Sequence, residues 1–99
     1  MSNDRFLLDT SFIQALLNKQ DPHHRQAASF FPRVRKAREA WVTEAVLIEV
    51  GNALSARDRS AAVKFIQQCY RAPNIHVVTV DRDLFDQAFT LYQNRPDKT

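Results

Sequence analysis

Cysteine is scarce in this sequence and no apolar run is long, and each shortage excludes a class of protein. The single cysteine, Cys69, permits neither an internal disulfide nor a paired thiolate metal site, so a reducing compartment and a core-filling thiol are expected. The apolar run that starts at Phe6 is broken at Asp9, too soon for a signal peptide or a membrane span. Internal repeats, low-complexity tracts and linkers are also missing, which leaves one domain over residues 1–99. The expectation is a cytoplasmic protein with no membrane contact.

What is present is ordinary for a globular chain, since 44% hydrophobic and 10% aromatic residues are enough to build a core and argue against disorder. Fourteen basic against eleven acidic residues give a net charge of +3, which favours contact with polyanions. The basic residues are uneven. Arg33, Arg35, Lys36 and Arg38 crowd one short stretch that reads either as a solvated helix face or as an RNA contact.

Strand and helix periodicities alternate three times along the chain. Phe6, Leu7 and Leu8 read as a short strand covered on both faces, followed by a helix over about 10–19 that the Thr10 and Ser11 hydroxyls start. Asp21 is expected to cap a helix beginning at Pro22 and running to about 39, with Pro32 kinking or splitting it. Residues 40–43 read as a strand, after which Thr43 caps a helix that turns Val46, Leu47, Val50 and Leu54 inward. Another helix, over about 60–71, has Asp58 or Ser60 as its cap and Val63, Ile66, Cys69 and Tyr70 inward. The β-branched stretch 74–80 is the clearest strand, and Asp81 then caps a helix with Leu84, Phe85, Ala88, Leu91 and Tyr92 at core spacing. Trp41, Phe30 and Phe31 read as core, His76 as a sheet histidine, and His23 and His24 as exposed first-turn residues. This alternation predicts an α/β fold, a parallel sheet with flanking helices.

Ligands of open parallel sheets gather outside the carboxyl ends of the strands, which is where Asp9 falls. Alone, Asp9 is equally well a helix cap. Glu49 borders the apolar stripe of its helix, and alone it would simply reach water. Together the two carboxylates repel unless a cation joins them, and hard cations such as Mg²⁺ or Mn²⁺ take such oxygen ligands. A cation held there would offset charge on a phosphodiester under in-line attack. Thr10 and Ser11 would then hydrogen-bond the ligating carboxylates or donate to a phosphate at the helix N-terminus.

The stretches "FLLDTSFIQALL", "TEAVLIEVGNAL" and "VVTVDRDLFDQAF", in that order over almost the whole chain, resemble a PIN domain, and in particular the VapC-type toxins of prokaryotic toxin and antitoxin pairs. The resemblance implies a metal-dependent endoribonuclease that uses Mg²⁺ or Mn²⁺ held by three or four acids. Asp9 matches the first acid and Glu49 the second, with Asn52 close behind. It also implies an RNA substrate, an antitoxin protein as partner and a homodimer. The family's later acids and its last helix and strands fall beyond residue 99, so the expectation is a C-terminally truncated PIN-like fold with a bare edge at the first strand. Asp81 is better read as a helix cap and Asp83 as a first-turn complement to the helix dipole than as replacements, Asp58 and Asp86 as solvated, and Asp97 as a tail residue able to fold back.

Two rivals frame that reading. A shortened chain that keeps a surface for an antitoxin or a sister protomer, yet cleaves nothing, is the alternative. A phosphatase of the haloacid dehalogenase class also ends its first strand on an aspartate, but Ser11 occupies the place of that class's second aspartate.

Overall fold

The alternation predicted from periodicity holds through residues 3–94, the part of the chain described by the computed structural model. Three strands, β1 (Arg5–Leu7), β2 (Glu39–Thr43) and β3 (Ile75–Val78), pair in parallel in the order β1-β2-β3. Five helices accompany them: α1 (Thr10–Leu17), α2 (His24–Lys36), α3 (Glu44–Leu54), α4 (Arg59–Arg71) and α5 (Arg82–Asn94). Among the described residues β1 pairs with β2 alone, so it forms an edge of the sheet, as expected.

Side chains alternate across a strand, and here the alternation separates two unlike faces. On one face Phe6, Ala40 and Ile75 stand in register, joined by Leu8, Val42 and Val77, and α1 to α4 close over them with Ile13, Val34, Val50, Leu54 and Cys69. The other face carries Leu7, Trp41 and His76 in register and is open, with Leu7 76% and Trp41 38% exposed. The strand at Leu7 is therefore covered on one face only, and Trp41 is not a core residue. Its indole instead stacks on the His76 ring at 4.4 Å and donates Nε1–H to Glu39 at 3.3 Å.

Local chemistry explains where the helix boundaries differ from expectation. The Asp21 carboxylate accepts from the His23 amide at 2.8 Å and its carbonyl from the His24 amide at 3.0 Å, a turn that delays α2 to His24. Pro32 does not split α2, whose buried Ala27 and Val34, with Phe30 and Phe31, pack on both sides of it. Asp58 supplies the cap of α4 by accepting from the Ala61 amide. The inward face of α4 is Ala62, Phe65 and Cys69, with Ile66 partly buried; Val63 and Tyr70 are exposed. Tyr70 turns outward to donate to Glu44 at 2.7 Å, a bond that ties α4 to α3 and raises the phenol above its usual range.

Asp81 caps α5 as predicted, accepting from the Leu84 amide at 2.8 Å. The stripe behind that cap does not pack. No residue of α5 is buried, and Phe85 and Phe89 stack on each other at 6.0 Å on the surface.

Candidate active site

The period switch between Leu8 and Ser11 puts Asp9 where β1 gives way to α1. Leu8 is buried and donates its amide to the Trp41 carbonyl at 2.8 Å, which anchors the chain to β2 one residue before Asp9. Asp9 itself is exposed, in extended backbone, and its Oδ1 accepts from the Phe12 amide at 2.8 Å, so it is the N-cap of α1. Capping fixes the rotamer of a carboxylate that stands outside the carboxyl end of the sheet.

Glu49 reaches the same place from α3. The Thr10 hydroxyl, on the first residue of α1, donates to Glu49 Oε1 at 3.1 Å, where α1 packs against α3. The two acids found in the sequence are thus joined through the residue next to Asp9. Each keeps a second carboxylate oxygen outside these bonds. Asp9 and Glu49 are both exposed, and carboxylate oxygen is the donor type that hard divalent cations take. No cluster of three or more His, Cys, Asp or Glu side chains that could hold a metal exists among the described residues.

The remaining predicted residues fall into two groups. Ser11 is exposed on the first turn of α1 and lines a groove of about 560 Å³ together with Asp9. Asn52 is exposed on α3, one turn beyond Glu49, and its side chain makes no hydrogen bond with another described residue. Asp81 and Asp58 are caps, Asp83 stands in the first turn of α5, and Asp97 lies outside the described residues.

Sequence reasoning missed the other wall of the groove. His23 and Gln26, at the start of α2, face it across Phe12 and Phe30. Their approach to Asp9 depends on how α2 crosses α1, which no spacing in the sequence encodes. His24 is more anchored than a first-turn histidine was expected to be, with Nδ1 2.8 Å from the Ala15 carbonyl. His76 is the sheet histidine predicted, although it lies on the open face.

The PIN domain family model matches residues 6–98, nearly the whole chain and both acids included. The chain belongs to the PIN domain family. The search of curated proteins found no match. Among solved structures, this PIN domain superposes on VapC20 of Mycobacterium tuberculosis, described as a sarcin-ricin loop cleaving toxin, with a TM-score of 0.71 and 24% identity. That alignment covers 97% of this chain and 72% of VapC20, so the two share the PIN fold. PIN nucleases generally use divalent metal ions, which agrees with the oxygen-only chemistry of Asp9, Thr10 and Glu49.

Proposed function

We propose that this PIN domain is a metal-dependent endoribonuclease of the VapC kind, the toxin of a toxin and antitoxin pair, with Asp9 and Glu49 as its metal-binding acids. The observation that supports the reading is the Thr10 to Glu49 hydrogen bond, which ties Glu49 to the residue that follows Asp9. Mg²⁺ or Mn²⁺ is the cation, since both are hard and take carboxylate oxygens. When bound, it offsets the negative charge that develops on a phosphodiester during in-line attack.

The protein's own groups divide the remaining work. Thr10 orients the Glu49 carboxylate, and the capping bond orients that of Asp9. The first amides of α1 and the Ser11 hydroxyl meet the substrate phosphate at the positive end of the helix. Asn52 extends the same surface with a neutral donor. RNA is the substrate, an antitoxin protein the partner, a homodimer the assembly and the cytoplasm the setting of this reading.

Titration of Mn²⁺ into the wild-type chain, Asp9→Asn and Glu49→Gln by calorimetry is the test. Each substitution should weaken binding on the order of tenfold or more while circular dichroism stays unchanged. Equal affinity in all three proteins would remove both residues from the metal site.

A second reading is favoured by one observation: no three His, Cys, Asp or Glu side chains converge among the described residues, which leaves a cation with few protein ligands there. In that reading the chain binds an antitoxin or a sister protomer and does not cut RNA. It predicts weak Mn²⁺ binding with no cleavage of RNA by the same sample.

A further inference from the structure

A second groove lies at the opposite end of the sheet from Asp9. Arg38 leads into β2 and Asn74 into β3, so in a parallel sheet this groove opens at the amino ends of the strands. Its volume is about 1240 Å³, and its floor is apolar, built from Phe31, Pro73 and Ile75. Asn74 secures the wall by donating its amide to the Val34 and Ala37 carbonyls at 3.2 and 3.1 Å, which ties the end of α2 to the start of β3.

Four cations stand around that floor, brought from separate parts of the chain: Arg35 and Lys36 from the last turn of α2, Arg38 from the approach to β2, and Arg71 from the end of α4. All four are exposed, and none of them forms an ion pair with a carboxylate among the described residues. The contrast is Arg33 in the same stretch, which pairs with Asp4 at 3.0 Å. Like charges gathered without internal carboxylates repel one another, and a polyanion relieves that repulsion by replacing the counterions it releases.

The helix α2 connects this groove to the candidate active site. Its first turn supplies Gln26 to the groove that holds Asp9, and its last turn supplies Arg35 and Lys36 to the second groove. Thirteen residues of helix span about 20 Å. An RNA strand that reaches both must therefore extend well beyond the bond being cut.

We propose that the second groove binds the sugar-phosphate backbone of single-stranded RNA flanking the cleavage point, with Arg35, Lys36, Arg38 and Arg71 on the phosphates and the apolar floor against sugar or base faces. The inference rests on the nuclease reading for the identity of the polyanion. The groove itself stands on geometry and charge.

The test is fluorescence anisotropy with a labelled single-stranded oligoribonucleotide across a KCl series, on Asp9→Asn protein without divalent metal so that the probe stays intact. Arg35→Ala, Arg38→Ala and Arg71→Ala should each lower the salt slope of binding by about 0.7, and the triple variant by about 2. Arg71→Lys should restore most of the slope. Arg59→Ala, at the far end of α4, should leave it unchanged. An equal loss for Arg59→Ala would mean diffuse attraction and overturn the groove, as would an unchanged slope in the triple variant with native circular dichroism. A polyglutamate peptide that loses affinity in the groove variants while RNA does not would assign the groove to an acidic protein segment instead. Cleavage separates this proposal from the one it rests on. If Asp9→Asn and Glu49→Gln still cut RNA while the groove variants lose RNA binding, the metal-site assignment fails and the groove remains.

Discussion

At the scale of single residues, Asp9 caps α1 and is proposed above as a metal ligand, and substitution can separate the two roles. As a cap it stabilises α1 by about 1 kcal/mol, and asparagine caps nearly as well as aspartate. Asp9→Asn should therefore keep the melting temperature while Asp9→Ala lowers it, and both should lose the divalent cation; a thermal melt beside the Mn²⁺ titration reads the two effects independently. Cys69 offers a second separation. Burial pushes its thiol up to about 11 from an ordinary 9.0. In that window the unfolded chain releases the thiol proton while the folded chain retains it, so stability falls as pH rises from 9 toward 11. The contribution is about 2 to 3 kcal/mol. Urea midpoints measured across the window should drop more steeply for the wild type than for Cys69→Ala.

At the scale of elements, the helices that pack and the one that does not were equally visible as amphipathic stripes. Periodicity located α3 through Val46, Leu47, Val50 and Leu54 because these residues face the sheet across a short connection from Thr43. The same reasoning applied to Leu84, Phe85, Ala88, Leu91 and Tyr92 found a true helix with a true cap, yet the stripe is exposed. Periodicity reports that a face is apolar, and says nothing of what it meets. Leu7 and Trp41 repeat the lesson in the sheet, since an apolar strand reads as covered on both sides whether or not a second layer exists. The approach of Glu49 to Thr10, the residue after Asp9, has a different cause: β1 and β2 are parallel neighbours, so the start of α1 and the helix that follows β2 meet at one end of the sheet. Gln26 and His23 were not legible, because helix crossing depends on packing. Phe85 gives the corresponding prediction. Phe85→Glu should reduce the fluorescence of the apolar dye ANS without lowering the melting temperature, because Phe85 is 54% exposed and outside the core. A fall in both would place Phe85 in a packed interface.

At the scale of the whole molecule, the core of the described residues is one layer of helices over one face of three strands. A domain of this size buries a modest share of its surface, and its stability is about 5 to 15 kcal/mol. Leu54→Ala removes a fully buried side chain and should cost about 2 to 5 kcal/mol, enough to bring the urea midpoint down sharply. Ile48→Ala, on the outward side of the same helix, should stay within about 0.5 kcal/mol. Charge has its own layout among the described residues, with Asp9 and Glu49 at the carboxyl end of the sheet and four cations without carboxylate partners at its amino end. The open face between those ends contains the only tryptophan in the sequence. Trp41 is therefore a built-in optical reporter: its emission should shift to the blue when anything dehydrates the uncovered side of the sheet, and stay still when a ligand settles at either end.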